Sequence, residues 1–139
     1  MIFLDANIFI SFLAAASTPQ DVAMARLATE LFGQIAQGKI DATTSEAMLA
    51  EVAFILTDKR HYAGPRSTVA SGLHPLLLPH SFRLDAKPLV LRALALWSSN
   101  MRVSFPDSLA AAYSELRGYQ VATFDERLRT VPTVTLHQF

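Results

Sequence analysis

Four carboxylates occupy positions where an enzyme would want them. Asp5 ends the apolar run Ile2-Phe3-Leu4, and Asp125 ends a second apolar run in Thr123-Phe124-Asp125-Glu126. Asp107 stands at a helix start in Phe105-Pro106-Asp107-Ser108, and Glu51 has Met48, Phe54 and Ile55 as its i−3, i+3 and i+4 neighbours. Carboxylates brought to one place repel, and none ionises cheaply without a cation. Such hard oxygen ligands suit Mg²⁺ or Mn²⁺ with several retained waters. With no cysteine and only four histidines, zinc and thiol chemistry are poorly served. A hard metal at the edge of an α/β sheet points to phosphoryl chemistry.

Each acid also has a local explanation. Asp5 can cap a helix over residues 7–13, since a side-chain oxygen there accepts an orphan backbone N–H. Asp107 beside Pro106 is favoured by the helix dipole. Thr123 and Glu126 fit a capping box that leaves Asp125 in a first turn. Glu51 borders an apolar stripe in a chain with 17% charged residues, where an unpartnered buried carboxylate is costly; a solvated helix flank is its local explanation. Glu46 serves as a control: Thr43-x-x-Glu46 is itself a capping-box pattern, so Glu46 is not counted as a ligand.

The elements that must position these acids follow from periodicity. Ile2-Phe3-Leu4 reads as a central strand. A helix starts with Thr18 as N-cap and Pro19 as its first residue, carries Met24, Leu27, Ala28, Leu31 and Ile35 as its stripe, and stops at Gly38. Residues 40–43 form a weak strand, followed by a helix with Met48, Leu49, Val52, Ile55 and Leu56 on one face. Between Lys59 and Pro79, Val69, Leu73, Leu76 and Leu77 keep helical spacing although Pro75 interrupts them. Residues 81–84 read as a strand, after which Asp85 caps a helix bearing Leu89, Ala93, Leu96 and Trp97. Pro106 opens another, with Leu109, Ala112, Tyr113 and Leu116 on one face and Gly118 as its stop. Residues 120–124 and 133–136 read as strands around a short helical turn. Strands alternating with helices predict an α/β domain with a mainly parallel sheet covered on both faces. Ligands of such sheets lie outside the carboxyl ends of the strands, where Asp5 and Asp125 stand.

The chain has 139 residues, 51% of them hydrophobic, which predicts one folded domain over residues 1–139 with no linker or repeat. Twelve Lys and Arg balance twelve Asp and Glu, arguing against disorder and against a uniformly basic nucleic-acid binder. The absence of cysteine favours a reducing compartment. No apolar run approaches the ~18 residues of a membrane span. The N-terminus lacks the basic flank of a signal peptide, and a cytoplasmic protein is expected.

The ordered set Leu4-Asp5-Ala6-Asn7, Leu49-Ala50-Glu51-Val52, Phe105-Pro106-Asp107-Ser108-Leu109-Ala110 and Ala122-Thr123-Phe124-Asp125 resembles the PIN-domain nucleases. In its length the chain is similar to the VapC toxins of bacterial and archaeal toxin–antitoxin pairs. The resemblance implies a three-layer α/β/α fold with about five parallel strands and a Mg²⁺- or Mn²⁺-dependent endoribonuclease site. Asp5, Glu51, Asp107 and Asp125 match the family's acidic quartet, which would serve both as metal ligands and as catalytic groups, and Asn7 and Thr123 match polar positions lining the same site. The products would carry 5′-phosphate and 3′-hydroxyl ends. The resemblance further implies an RNA substrate, a VapB-like antitoxin partner and a homodimer, for which Phe9, Phe12, Leu13 and Phe32 could supply an apolar face, although core packing is the better use of most of them.

Lys59, Arg60, His61 and Arg66 cluster beyond the Glu51 helix and could grip phosphates, as could Arg127 and Arg129; a solvated basic loop explains them equally. Three rival readings remain. An aspartyl-phosphate phosphohydrolase wants a second acid where Asn7 stands. A receiver-like domain wants an acidic pair after the first strand and a lysine after the last, and neither is present. A catalytically silent PIN-like scaffold that binds a protein would not need all four acids. If the four serve a metal, twelve basic residues face eight other acids, and a modestly positive rim is expected to receive RNA.

Overall fold

In the computed structural model, which describes residues 1–139, the chain forms two compact units, Met1–Asp85 and Ala86–Phe139. No helix is long and apolar enough to cross a membrane.

The first unit contains β1 (Ile2–Phe3), α1 (Ala6–Leu13), α2 (Pro19–Ala36), β2 (Ala42–Thr43), α3 (Glu46–Thr57) and α4 (Arg66–Leu77). β1 and β2 pair in parallel, with Ile2 opposite Ala42 and Phe3 opposite Thr43. Ala42 also forms a parallel bridge with Phe82. Within this unit β2 is therefore the middle segment and β1 an edge, with Phe3 57% exposed, rather than the central strand its apolar run predicts. The end of β1 is held from both sides: the Leu4 N–H donates to the Thr43 carbonyl at 2.8 Å, and the buried Thr44 hydroxyl donates to the Leu4 carbonyl at 2.8 Å. The chain is thus fixed one residue before Asp5.

The core of this unit is built around Phe9, fully buried, whose ring meets Phe32 at 5.4 Å and Phe82 at 6.1 Å. Phe12 packs edge-on against Phe32 at 5.0 Å. Phe9 and Phe32 thus serve the interior, not a dimer face. α2 turns Ala28, Phe32 and Ile35 inward and leaves Met24 and Leu27 exposed, so the buried stripe is rotated from the one that spacing predicts. α4 runs through Pro75, which falls in its last turn, and crosses α1 closely. A Cβ on Gly72 would lie 2.7 Å from Leu13 Cδ2, and the absence of that atom admits the approach.

The second unit contains α5 (Lys87–Ser99), α6 (Phe105–Arg117) and a 3₁₀ turn (Glu126–Thr130). α5 and α6 pack through Leu89, Val90, Ala93, Trp97, Phe105, Leu109 and Ala112, all buried, with Trp97 and Phe105 edge-on at 6.1 Å. An ion pair between Arg92 Nε and Glu115 Oε2, 2.9 Å, joins the two helices. Gly118 ends α6 in the left-handed region at φ 70°, as its position predicts. Asp85 does not cap α5: the N-cap is Ala86, which makes no side-chain cap bond, and Pro88 occupies the first turn, where a missing N–H costs nothing.

The parallel pairing expected from the alternation is present, but only β1 and β2 form regular strands. The segments expected at 81–84, 120–124 and 133–136 contribute single parallel bridges, Ala42 with Phe82 and Val121 with Leu136.

Because the Thr44 hydroxyl is the side-chain donor to the buried end of β1, Thr44→Val should destabilise the protein by about 1–3 kcal/mol, the cost of an unsatisfied buried polar group. Thr44→Ser should restore most of that loss. Urea unfolding of the three proteins reads both outcomes.

Candidate active site

The four acids fall two to a unit. In the first, Asp5 is the N-cap of α1, its carboxylate accepting the Asn7 N–H at 3.4 Å, and both residues are exposed. The sequence-based capping role of Asp5 is therefore present alongside any chemical one. Glu51 is exposed on α3 while its neighbours Val52 and Ala53 are buried, so the helix presents it to water. Glu46 lies in the first turn of α3, but the cap is Ser45, whose hydroxyl accepts the Met48 N–H at 3.2 Å; the expected box from Thr43 is displaced by two residues. Thr43 is already committed to pairing with Phe3 in the sheet.

The expected phosphate contacts of this unit differ in availability. Arg60 donates from its backbone N–H (2.7 Å) and its guanidinium to Asp58, and that bond, chiefly the side-chain one, holds the Asp58 carboxyl below its usual range. Arg66, half-buried at the first position of α4, has its pKa lowered by burial. Lys59 and His61 are exposed in the turn between α3 and α4.

In the second unit Asp107 is the third residue of α6 and closes a reciprocal box with Ser104. The Ser104 N–H donates to the Asp107 carboxylate at 3.1 Å, and the Asp107 N–H donates to Ser104 Oγ at 3.2 Å. The helix therefore begins at Phe105, one residue before Pro106. Ser104 was missed from the sequence although Ser104-x-x-Asp107 carries the signature. Asp125 is the N-cap of the 3₁₀ turn rather than a first-turn residue. Its own N–H donates to Thr123 Oγ1 at 2.9 Å, which is the part Thr123 plays.

Asp125 is also the anchor of Arg127. The Arg127 backbone N–H and Nε each donate to Asp125 Oδ1 at 2.9 Å, and Nη2 reaches Oδ2. These bonds, the guanidinium's first, lower the Asp125 pKa from an ordinary 3.8 to about 2. The same partnership, with a smaller contribution from Asp107, raises the Arg127 pKa. Arg129 pairs with Glu126 at 3.1 Å. Neither arginine stands as an unpaired phosphate contact; both would have to exchange an acid for a phosphate.

The donor set is the right kind for a hard divalent cation, since every candidate ligand is a carboxylate oxygen. No three His, Asp or Glu side chains are gathered into a group that could hold a metal ion. The cation beside Asp125 is the guanidinium of Arg127.

A depressed carboxylate pKa adds stability above the group's unfolded value and loses it as pH falls through the folded one. For Asp125 that window runs from pH 3.8 down to about 2. Arg127→Gln should move the Asp125 titration back towards 3.8 and remove its share of the acid-side loss of stability. Carboxyl carbon NMR titration of the two proteins reads the shift, and an unchanged midpoint would refute the assignment.

Two comparisons with known proteins bear on these residues. The family profile described as "PIN domain" matches residues 2–134, spanning both units and all four acids. No curated protein matches the chain.

Proposed function

Because the chain belongs to the PIN-domain family, whose members are in general nucleases that act on RNA and usually bind divalent metals, we propose that it is a metal-dependent endoribonuclease. Its acids are Asp5, Glu51, Asp107 and Asp125. The carrying observation is the family match over residues 2–134, which takes in all four acids in order. The local geometry adds support: three of the four sit at helix starts and take part in capping bonds.

The reaction is hydrolysis of a phosphodiester. Water oxygen bonds to phosphorus, the bond to the 3′ oxygen breaks, and the products carry 5′-phosphate and 3′-hydroxyl ends. Asp5 and Glu51, exposed to water, would accept the proton that the attacking water sheds. Arg127 presents a planar fork that matches phosphate as well as it matches Asp125. Asn7 and Thr123, each two residues from an acid, would steady those acids, the Asn7 backbone N–H by donating to the Asp5 carboxylate and the Thr123 hydroxyl by accepting the Asp125 N–H. Held by carboxylates of this set, Mg²⁺ or Mn²⁺ would supply charge to the phosphate and lower the pKa of a water.

The toxin assignment extends this reading. The order and spacing of the motifs support a VapC-type toxin acting in the cytoplasm, held by a VapB-like antitoxin and assembled as a homodimer. The exposed Val22, Met24 and Leu27 of α2 offer such partners an apolar surface that the buried Phe9 and Phe32 do not. A silent protein-binding scaffold is the second reading, favoured by the lack of any gathered set of three metal donors.

Purified protein should cleave labelled single-stranded RNA with Mg²⁺ or Mn²⁺ and stop on chelation. Asp5→Asn and Asp107→Asn should each lower the rate by about 100-fold or more, the scale of a lost catalytic group. Expression of the wild type, but not of Asp5→Asn, should arrest growth. Cleavage that survives chelation or both substitutions would exclude the assignment; no cleavage by the wild type would favour the scaffold.

A further inference from the structure

The first unit holds a pocket of about 310 Å³ between α1, the start of α2 and the turn after α3. Its wall combines the half-exposed ring of Tyr62, the apolar Ile10 and Met24, and the polar Asn7 and Ser11. Ala14, Ala15 and Ala16 line the remainder, and their small side chains keep it open. The volume sits at the lower end of the about 300–1,000 Å³ typical of small-molecule sites, the size of one nucleoside and too small for a docked helix.

We propose that this pocket binds a single unpaired nucleobase of the RNA, adjoining the bond to be cut. The identity of the ligand as RNA rests on the endoribonuclease reading. Four features carry the choice of a base. An exposed aromatic ring is the surface on which unpaired bases stack. The Asn7 amide and Ser11 hydroxyl both donate and accept, as a base edge requires. The one charged group in the wall, Asp21, is an anion held by Ser17 and Thr18 through bonds of 3.0–3.2 Å, so the wall repels phosphate and leaves the base as the part that enters. Lys59 and His61, exposed beside Tyr62, are available to the backbone outside. The pocket also adjoins the candidate chemistry directly, since Asn7 lines it and donates its N–H to Asp5 at 3.4 Å. A base seated here would set which phosphodiester lies next to Asp5, and Tyr62 would be a specificity-determining residue.

The test is fluorescence anisotropy with labelled short RNA homopolymers of each base, in chelator so that nothing is cut, read alongside a separate cleavage assay with Mg²⁺ or Mn²⁺. Tyr62→Ala should weaken binding about tenfold, within the range of one lost base stack, and Tyr62→Phe should restore it. Ala15→Leu, which fills the pocket from a different segment, should weaken binding comparably. Removing one base of the oligomer should cost the wild type affinity and cost Tyr62→Ala nothing further. RNA affinity untouched by Tyr62→Ala or by Ala15→Leu overturns the proposal, as does a wild type that binds no RNA. If Ala15→Leu changes only the oligomeric state, the pocket receives protein instead and the proposal fails. The expected pattern of binding in a wild type that cuts nothing supports the pocket while removing the nuclease reading.

Discussion

The first backbone N–H groups of every helix have no carbonyl inside the helix to bond, and much of this structure is arranged around answering them. Asp5 does so for α1, Thr18 and Asp21 for α2, Ser45 for α3, Ser104 and Asp107 for α6, and Asp125 for the 3₁₀ turn. Three of the four candidate catalytic acids are therefore structural groups as well. A carboxylate that caps a helix is held against rigid backbone rather than on a free side-chain lever, which is a condition for chemistry that depends on position. The coupling has a cost, because replacing such an acid removes a cap along with a reactive group. Substitution by asparagine, which still accepts an N–H, keeps the two effects apart.

A second constraint is electrostatic. The chain carries as many acids as bases, and the structure spends many of them on each other: Arg60 with Asp58, Arg83 with Asp41, Arg92 with Glu115, Arg127 with Asp125 and Arg129 with Glu126. Four of these pairs use acids already set against the basic residues in the charge count, so only Arg127, held by the site acid Asp125, is withdrawn from the expected positive rim. Solvent-exposed pairs of this kind contribute little to stability, so a phosphate can replace the acid at low cost. Arg127 is the sharpest case. Its bidentate hold satisfies the Asp125 carboxylate, and both partners are altered when that pairing opens.

Asn7 connects these two themes to recognition. It follows Asp5 by two residues, supplies the N–H that Asp5 caps, and faces the pocket formed with Tyr62 and Met24. The helix start that positions an acid thus also positions one wall of a binding site. The same economy appears at Thr123, whose hydroxyl takes the Asp125 N–H immediately before the 3₁₀ turn.

Much of the candidate site was legible because it is local. The spacing of Thr18, Pro19 and Asp21 determined the start of α2, Gly118 determined the stop of α6, and Asp5 announced itself as a cap, all through bonds spanning four residues or fewer. The order of the acidic motifs determined the family. What depended on distant partners was not legible. Capping passed from Thr43 to Ser45 because Thr43 pairs with Phe3, forty residues away in the sheet, and Asp85 lost its capping role to a backbone that turns through Ala86 and Pro88. The face of α2 that is buried was decided by the ring of Phe9, which meets Phe32 rather than Met24 or Leu27. Only the tertiary structure could bring Tyr62 beside Asn7, since helix periodicity and cap chemistry act within a turn or two, whereas a pocket is made by side chains that share no local hydrogen bond.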